Sequence, residues 1–118
     1  MKIENIKFKA KRLDNGEWVE GDLMKESYGA RIIEHTSKAD NWVAVDPSTV
    51  CQFTGLKDTN DVPIFEGDII DFGGEGEVVF KDGAFYAKFG KYTECLLCNL
   101  VKSGQPVTIV GNKFDKEK

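Results

Sequence analysis

Turn-forming pairs interrupt this chain at short intervals, and that punctuation leaves room for strands but not for long helices. Asn15-Gly16 and Asp82-Gly83 are the strongest short hairpin signals available to a natural sequence. Between them lie Asp46-Pro47, a polar stretch from Gly55 to Pro63, and Glu66-Gly67-Asp68. Pro47 restricts Asp46 and starts a turn, while Gly67 supplies backbone freedom in a tight one. The intervening runs are short and rich in β-branched and aromatic residues.

Those runs place strands at 5–13, Glu17 to Leu23, Ala30–His35, the Trp42–Val45 run, Val50 to Thr54, Ile69 to Phe72, Glu77 to Phe80, Ala84 to Phe89 and Val107 to Val110. In the second of these, Val19 and Leu23 share one face, and Gly21 between them marks a bulge or a close backbone approach. Gly73-Gly74-Glu75-Gly76 reads as a flexible connection. Tyr92, Leu96, Leu97, Leu100 and Val101 recur at helical spacing, so one short helix is expected near 93–101. Many short strands with glycine-rich turns imply an all-β domain, a contorted, partly closed barrel or a sandwich, rather than a βαβ sheet.

The chain has 118 residues, enough for one domain with a core of its own. Its eight Phe, three Tyr and two Trp are expected to fill much of that core. A net charge of -4 argues against broad nucleic-acid binding, which needs a clustered positive face. One local exception is the N-terminal strand, where Lys7, Lys9 and Lys11 share a face. The ordinary reading is the solvated side of an edge strand, and the alternative is a phosphate-contacting stripe. Three cysteines and no secretory hydrophobic segment point to a cytoplasmic setting, and no run is long enough for a membrane span.

Candidate chemistry is sparse. Cys95-Leu96-Leu97-Cys98 has metal or redox spacing, and Cys51 with the lone His35 could complete a zinc set. A second cysteine pair and a thioredoxin-like context are both missing, so buried thiols in an apolar stripe fit better. Asp58, Asp61, Glu66, Asp68 and Asp71 concentrate acid in one region, but among turn residues they are expected in solvent. No nucleophile elbow, phosphate loop or dinucleotide fingerprint occurs. No catalytic residue, metal or cofactor is therefore assigned. Trp18 and Trp42, with Tyr86 and Tyr28 behind them, are the aromatics most suited to a partner-binding surface, though core packing is the favoured reading of them.

From Gln52-Phe53-Thr54-Gly55-Leu56-Lys57-Asp58 through Ile64-Phe65-Glu66-Gly67-Asp68-Ile69-Ile70 the chain resembles the YopX family of small bacteriophage and prophage proteins. The family's usual form is Q-Y/F-T-G-L-K-D, a short Asn-containing turn, then I-Y/F-E-G-D-I-V. Ile6-Lys7-Phe8 with Ala10 is similar to its N-terminal I-K-F-R-A-W, and Val110-Gly111-Asn112 to its C-terminal I-G-N-I-Y. The chain departs at Lys9, Lys11 and Asp61, where arginine, an aromatic and glycine are usual; Asp61 argues against a mirror-image turn. The resemblance implies one YopX-like domain over 1–118, with an N-terminal β subregion of about 1–50 and an SH3-like subregion of about 51–114. It implies no enzymatic activity. A phage or prophage accessory protein acting by contact with a host or phage protein in the bacterial cytoplasm is the leading expectation, with self-association through a strand edge as a further partner mode. A nucleic-acid-associated module using Lys7, Lys9 and Lys11 is the alternative.

Overall fold

A computed structural model describes residues 2–115. The chain divides into two compact units, one ending at Phe53 and one starting at Thr54.

The first unit is an antiparallel sheet. Its strands are β1 (Phe8–Lys11), β2 (Trp18–Glu26), β3 (Gly29–His35), β4 (Asp40–Val45) and the start of β5 (Cys51–Lys57), in the order β4-β3-β2-β1-β5. Ala10, Val19, Ala30, Ile32 and Val45 form the core, with Phe8, Leu23, Val43 and Val50 packed against it. The long strand β2 changes partner along its length: Trp18 to Gly21 pair with β1, and Asp22 to Glu26 pair with β3. Gly21 sits at the changeover because the chains come too close for a side chain; a Cβ there would lie 2.1 Å from the Ile33 carbonyl oxygen. The close approach expected of this glycine is what the fold uses.

The first hairpin differs from its expected form. Lys11 pairs with Trp18, so the connection runs from Arg12 to Glu17 and is not a two-residue turn. Only Gly16 takes positive φ, +75°, and the Asn15 side chain accepts a hydrogen bond from the Glu17 N–H at 2.9 Å. Asn-Gly here caps a longer loop because Arg12 continues outward to bridge Val45. The Leu13 N–H donates to the Ala44 carbonyl at 3.1 Å and the Asp46 N–H to the Lys11 carbonyl at 2.8 Å. Residues 11–13 thus occupy the outer edge of β4 at its C-terminal end, curling the sheet without closing it. The Asp46-Pro47 turn forms as expected, with Asp46 accepting from the Ser48 N–H at 3.0 Å.

The second unit carries the remainder of β5, then β6 (Pro63–Phe65), β7 (Asp68–Asp71), β8 (Glu75–Lys81), β9 (Ala84–Phe89), β10 (Thr93–Leu96), a short helix α1 (Leu97–Val101) and β11 (Thr108–Asn112). Five of these strands make one antiparallel sheet, order β10-β9-β8-β7-β11. Ile64, Ile70, Val78, Ala87, Leu97, Leu100 and Val107 are its core. Asp82-Gly83 makes the expected tight hairpin, both residues at positive φ (52° and 82°), between paired Lys81 and Ala84.

Two expectations in this unit are corrected. The helix begins only at Leu97, because Thr93 to Leu96 pair with Phe89 to Tyr86 as a strand. Glu75 and Gly76 are not part of a loose connection but of β8, where Gly76 pairs with Ile70 beneath the Phe89 ring. The protein is all-β apart from α1, and neither sheet is a closed barrel. No helix among the described residues is long and apolar enough to cross a membrane.

Candidate functional site

The lysine stripe lies on β1, which is not an edge strand: β2 flanks it on one side and β5 on the other. The expectation of edge lysines is therefore corrected. Their ammonium groups lie over rings instead. Lys9 Nζ is 4.7 Å and Lys11 Nζ 5.4 Å from the Trp18 centroid, and Lys7 Nζ is 4.7 Å from that of Phe53. Lys11 is paired with Trp18 across the strands and Lys9 is its diagonal neighbour, so strand register alone brings them together. Trp18 is half-buried by this arrangement. Tyr86, in the second unit, is also half-buried, with Lys81 Nζ 5.4 Å from its ring.

Trp42 is different. It is 55% exposed, on the outermost strand β4. Alternation along Asp40–Val45 sends Val43 and Val45 toward the core and leaves Trp42 on the other face. Beside it is a concavity of about 650 Å³ lined by Leu13, Asp14, Glu34 and Asp40 as well as Arg12 and Trp42. Leu13 is 65% exposed and adds a second apolar contact. Arg12 is held by Asp14 through two hydrogen bonds of 2.9 Å. That pairing keeps the Asp14 carboxyl below, and the guanidinium above, its ordinary pKa. Sequence reasoning singled out Trp42 but missed Leu13, Asp14, Glu34 and Asp40. The alternation of Trp42 against Val43 and Val45 was a readable signal; which face is core and the approach of the Leu13 loop were not.

The acids of the central motif are not all in solvent, which corrects that expectation. Asp58 is 8% exposed and Asp68 2%. Asp58 Oδ1 accepts from the N–H groups of Asn60 and Val62, both at 2.9 Å, and Oδ2 from that of Ile109 at 3.1 Å. Asp68 Oδ2 accepts from the Phe65 N–H at 2.8 Å, and Oδ1 from Asn112 Nδ2 at 3.0 Å. Gly67, at φ +88°, links the same pieces: its N–H donates to Val78 and its carbonyl accepts from Lys113. The motif residues are thus fasteners of loop to strand. Asp61 and Asp71 are exposed. Asp61 takes φ +66°, so the turn does require the left-handed region that its side chain argued against.

His35 sits between two carboxylates on the strands either side of its own. Nε2 is 2.7 Å from Asp22 and Nδ1 2.8 Å from Asp40. Asp22 first, then Asp40, raises its pKa by accepting hydrogen bonds from the ring. Cys51 is buried with its thiol donating to the Thr49 carbonyl, while Cys95 and Cys98 are half-buried free thiols. Among the described residues no three His, Cys, Asp or Glu side chains gather as a metal site.

A family model described as YopX protein matches residues 7–117, nearly the whole chain. A search of curated proteins finds no match. The chain belongs to the YopX family.

Proposed function

We propose that this YopX-family chain is a non-enzymatic interaction module, a phage or prophage accessory protein that holds a host or phage protein in the bacterial cytoplasm. The observation that carries this reading is Trp42, a large aromatic left exposed beside a concavity on an outermost strand. Tryptophan is among the residues enriched in interface hot spots. The non-enzymatic part draws support from Asp58 and Asp68, whose oxygens are engaged by backbone and amide donors rather than aimed into a pocket. We also read the second unit as SH3-like, on its five-stranded sheet with a short helix ahead of the last strand. The test is a tagged pull-down from lysogenic or infected cells with wild type and Trp42→Ala. A partner enriched reproducibly by wild type and lost with Trp42→Ala is expected; enrichment indifferent to Trp42 removes the reading.

The second reading, a nucleic-acid-associated module, rests on Lys9 and Lys11 gathered around Trp18. A gel shift across a salt series decides it, since phosphate contacts lose affinity steeply with ionic strength. Absence of a shift at physiological salt eliminates it.

A further inference from the structure

The outer edge of β4 is filled at one end and open at the other. Residues 11–13 hydrogen-bond to Ala44 and Asp46, so the backbone groups of these residues face away from β3. Strand alternation puts the N–H and C=O of Trp42 and Asp40 on that same outward side. Among the described residues no strand lies beside them, because β4 ends the sheet. The open length from Asp40 to Val43 spans about 13 Å, room for three or four residues of an extended chain.

The surroundings say what kind of chain. Three carboxylates, those of Asp14, Glu34 and Asp40, line the concavity; Asp14 is held by Arg12 and Asp40 by His35, so Glu34 is the acid with no cationic side chain bridged to it there. The apolar contacts are Trp42 and Leu13. A second copy of the same edge would add a second set of the same carboxylates to an already acidic concavity, which costs rather than stabilises.

We propose that the Asp40–Val43 edge binds an extended, basic segment of a partner protein by strand addition. The segment's backbone pairs with Asp40 and Trp42, its apolar side chains rest on Trp42 and Leu13, and its Lys or Arg side chains, pointing to the opposite face, meet Glu34. The face of the Trp42 ring offers a cation a further site. This assignment rests on the interaction-module reading and specifies its partner class.

The probes are two short labelled peptides, one of alternating lysine and valine and one with glutamate in place of lysine. Binding is followed by amide chemical shifts on the full chain and by anisotropy. The lysine peptide is expected to bind, to shift the amides of Asp40 and Trp42, and to weaken several-fold as salt rises from low to high ionic strength. Trp42→Ala is expected to weaken it by about tenfold or more. Trp42→Pro removes an outward N–H without touching the β3 ladder and is expected to abolish binding. If Trp42→Pro fails to fold, the charge variant Glu34→Gln replaces it, with loss of the preference for lysine expected. Equal binding of both peptides, or shifts confined to residues outside 12–14 and 34–44, overturns the proposal. So does concentration-dependent dimerisation in sedimentation that Trp42→Ala abolishes, because the edge then belongs to a second copy. Failure of the lysine peptide alongside a Trp42-dependent pull-down sinks the strand-addition site and leaves the broader module reading standing.

Discussion

The Asn112 side-chain amide donates to Asp68 at 3.0 Å, joining two residues 44 apart in sequence inside the second unit. With the Phe65 N–H on the other oxygen, one nearly inaccessible carboxylate holds the start of β7 and the end of β11 in place. Asp68→Ala removes the acceptor of both hydrogen bonds and is expected to destabilise by about 1–3 kcal/mol. Asn112→Ala, which also removes the acceptor for the Phe114 N–H, is expected to cost a comparable amount. Because the two residues share one bond, their double mutant should lose less than the sum. Urea unfolding of the four proteins gives the coupling; strict additivity contradicts the fastening role.

Gly21 is the tightest point in the first unit. Gly21→Ala is expected to destabilise by about 1–3 kcal/mol or more, since backbone rather than a flexible side chain must give way. Gly29, where an added Cβ would meet nothing within 4 Å, is the matched control. Thermal melts that move equally for Gly21→Ala and Gly29→Ala count against the steric account.

Asp61 holds a left-handed backbone that costs an L-residue energy. Asp61→Gly relieves that cost, offset by greater freedom in the unfolded chain, and a net gain of about 0.5 kcal/mol is expected. The Lys57 pair it loses is exposed and contributes little. A lower midpoint in denaturant for Asp61→Gly than for wild type contradicts the strain reading.

His35 makes the first unit sensitive to pH. Its pKa is raised in the fold, chiefly by Asp22 and then by Asp40. A raised pKa means the stabilisation is fully present below the unfolded value of about 6.5 and disappears as pH rises through the folded one. The sheet pairing of β2, β3 and β4 should therefore lose stability from mildly acid to mildly alkaline pH relative to His35→Gln. Denaturant midpoints of both proteins across that range provide the comparison. Parallel pH profiles exclude His35 as the cause.

The parts legible in the sequence were those decided within a few residues. Asp82-Gly83 carries its own left-handed turn, so that hairpin could be read, whereas the exposure of Trp42, against the expectation of core packing, shows only once Val43 and Val45 face the core. Asn15-Gly16 carries the same local signal, yet its loop is set by Arg12 reaching Val45, a pairing no local pattern encodes. Leu96 has helical spacing to Leu100, but its cross-strand pairing with Tyr86 takes precedence. The burial of Asp58 and Asp68 depends on Ile109 and Asn112, far along the chain, so turn composition suggested solvent instead. The concavity at Trp42 combines β4 with the Leu13 loop, and only the folded sheet brings these together.

The fastening of Asp58 and Asp68 by the last strand has a consequence for how the chain is made. The first unit's own strands are all synthesised once the chain has reached Phe53. The second cannot satisfy its two buried carboxylates until Ile109 and Asn112 have emerged. Translation thus delivers the strands of the first unit early, while Asp58 Oδ2 and Asp68 Oδ1 gain the Ile109 and Asn112 donors only when synthesis has passed β11.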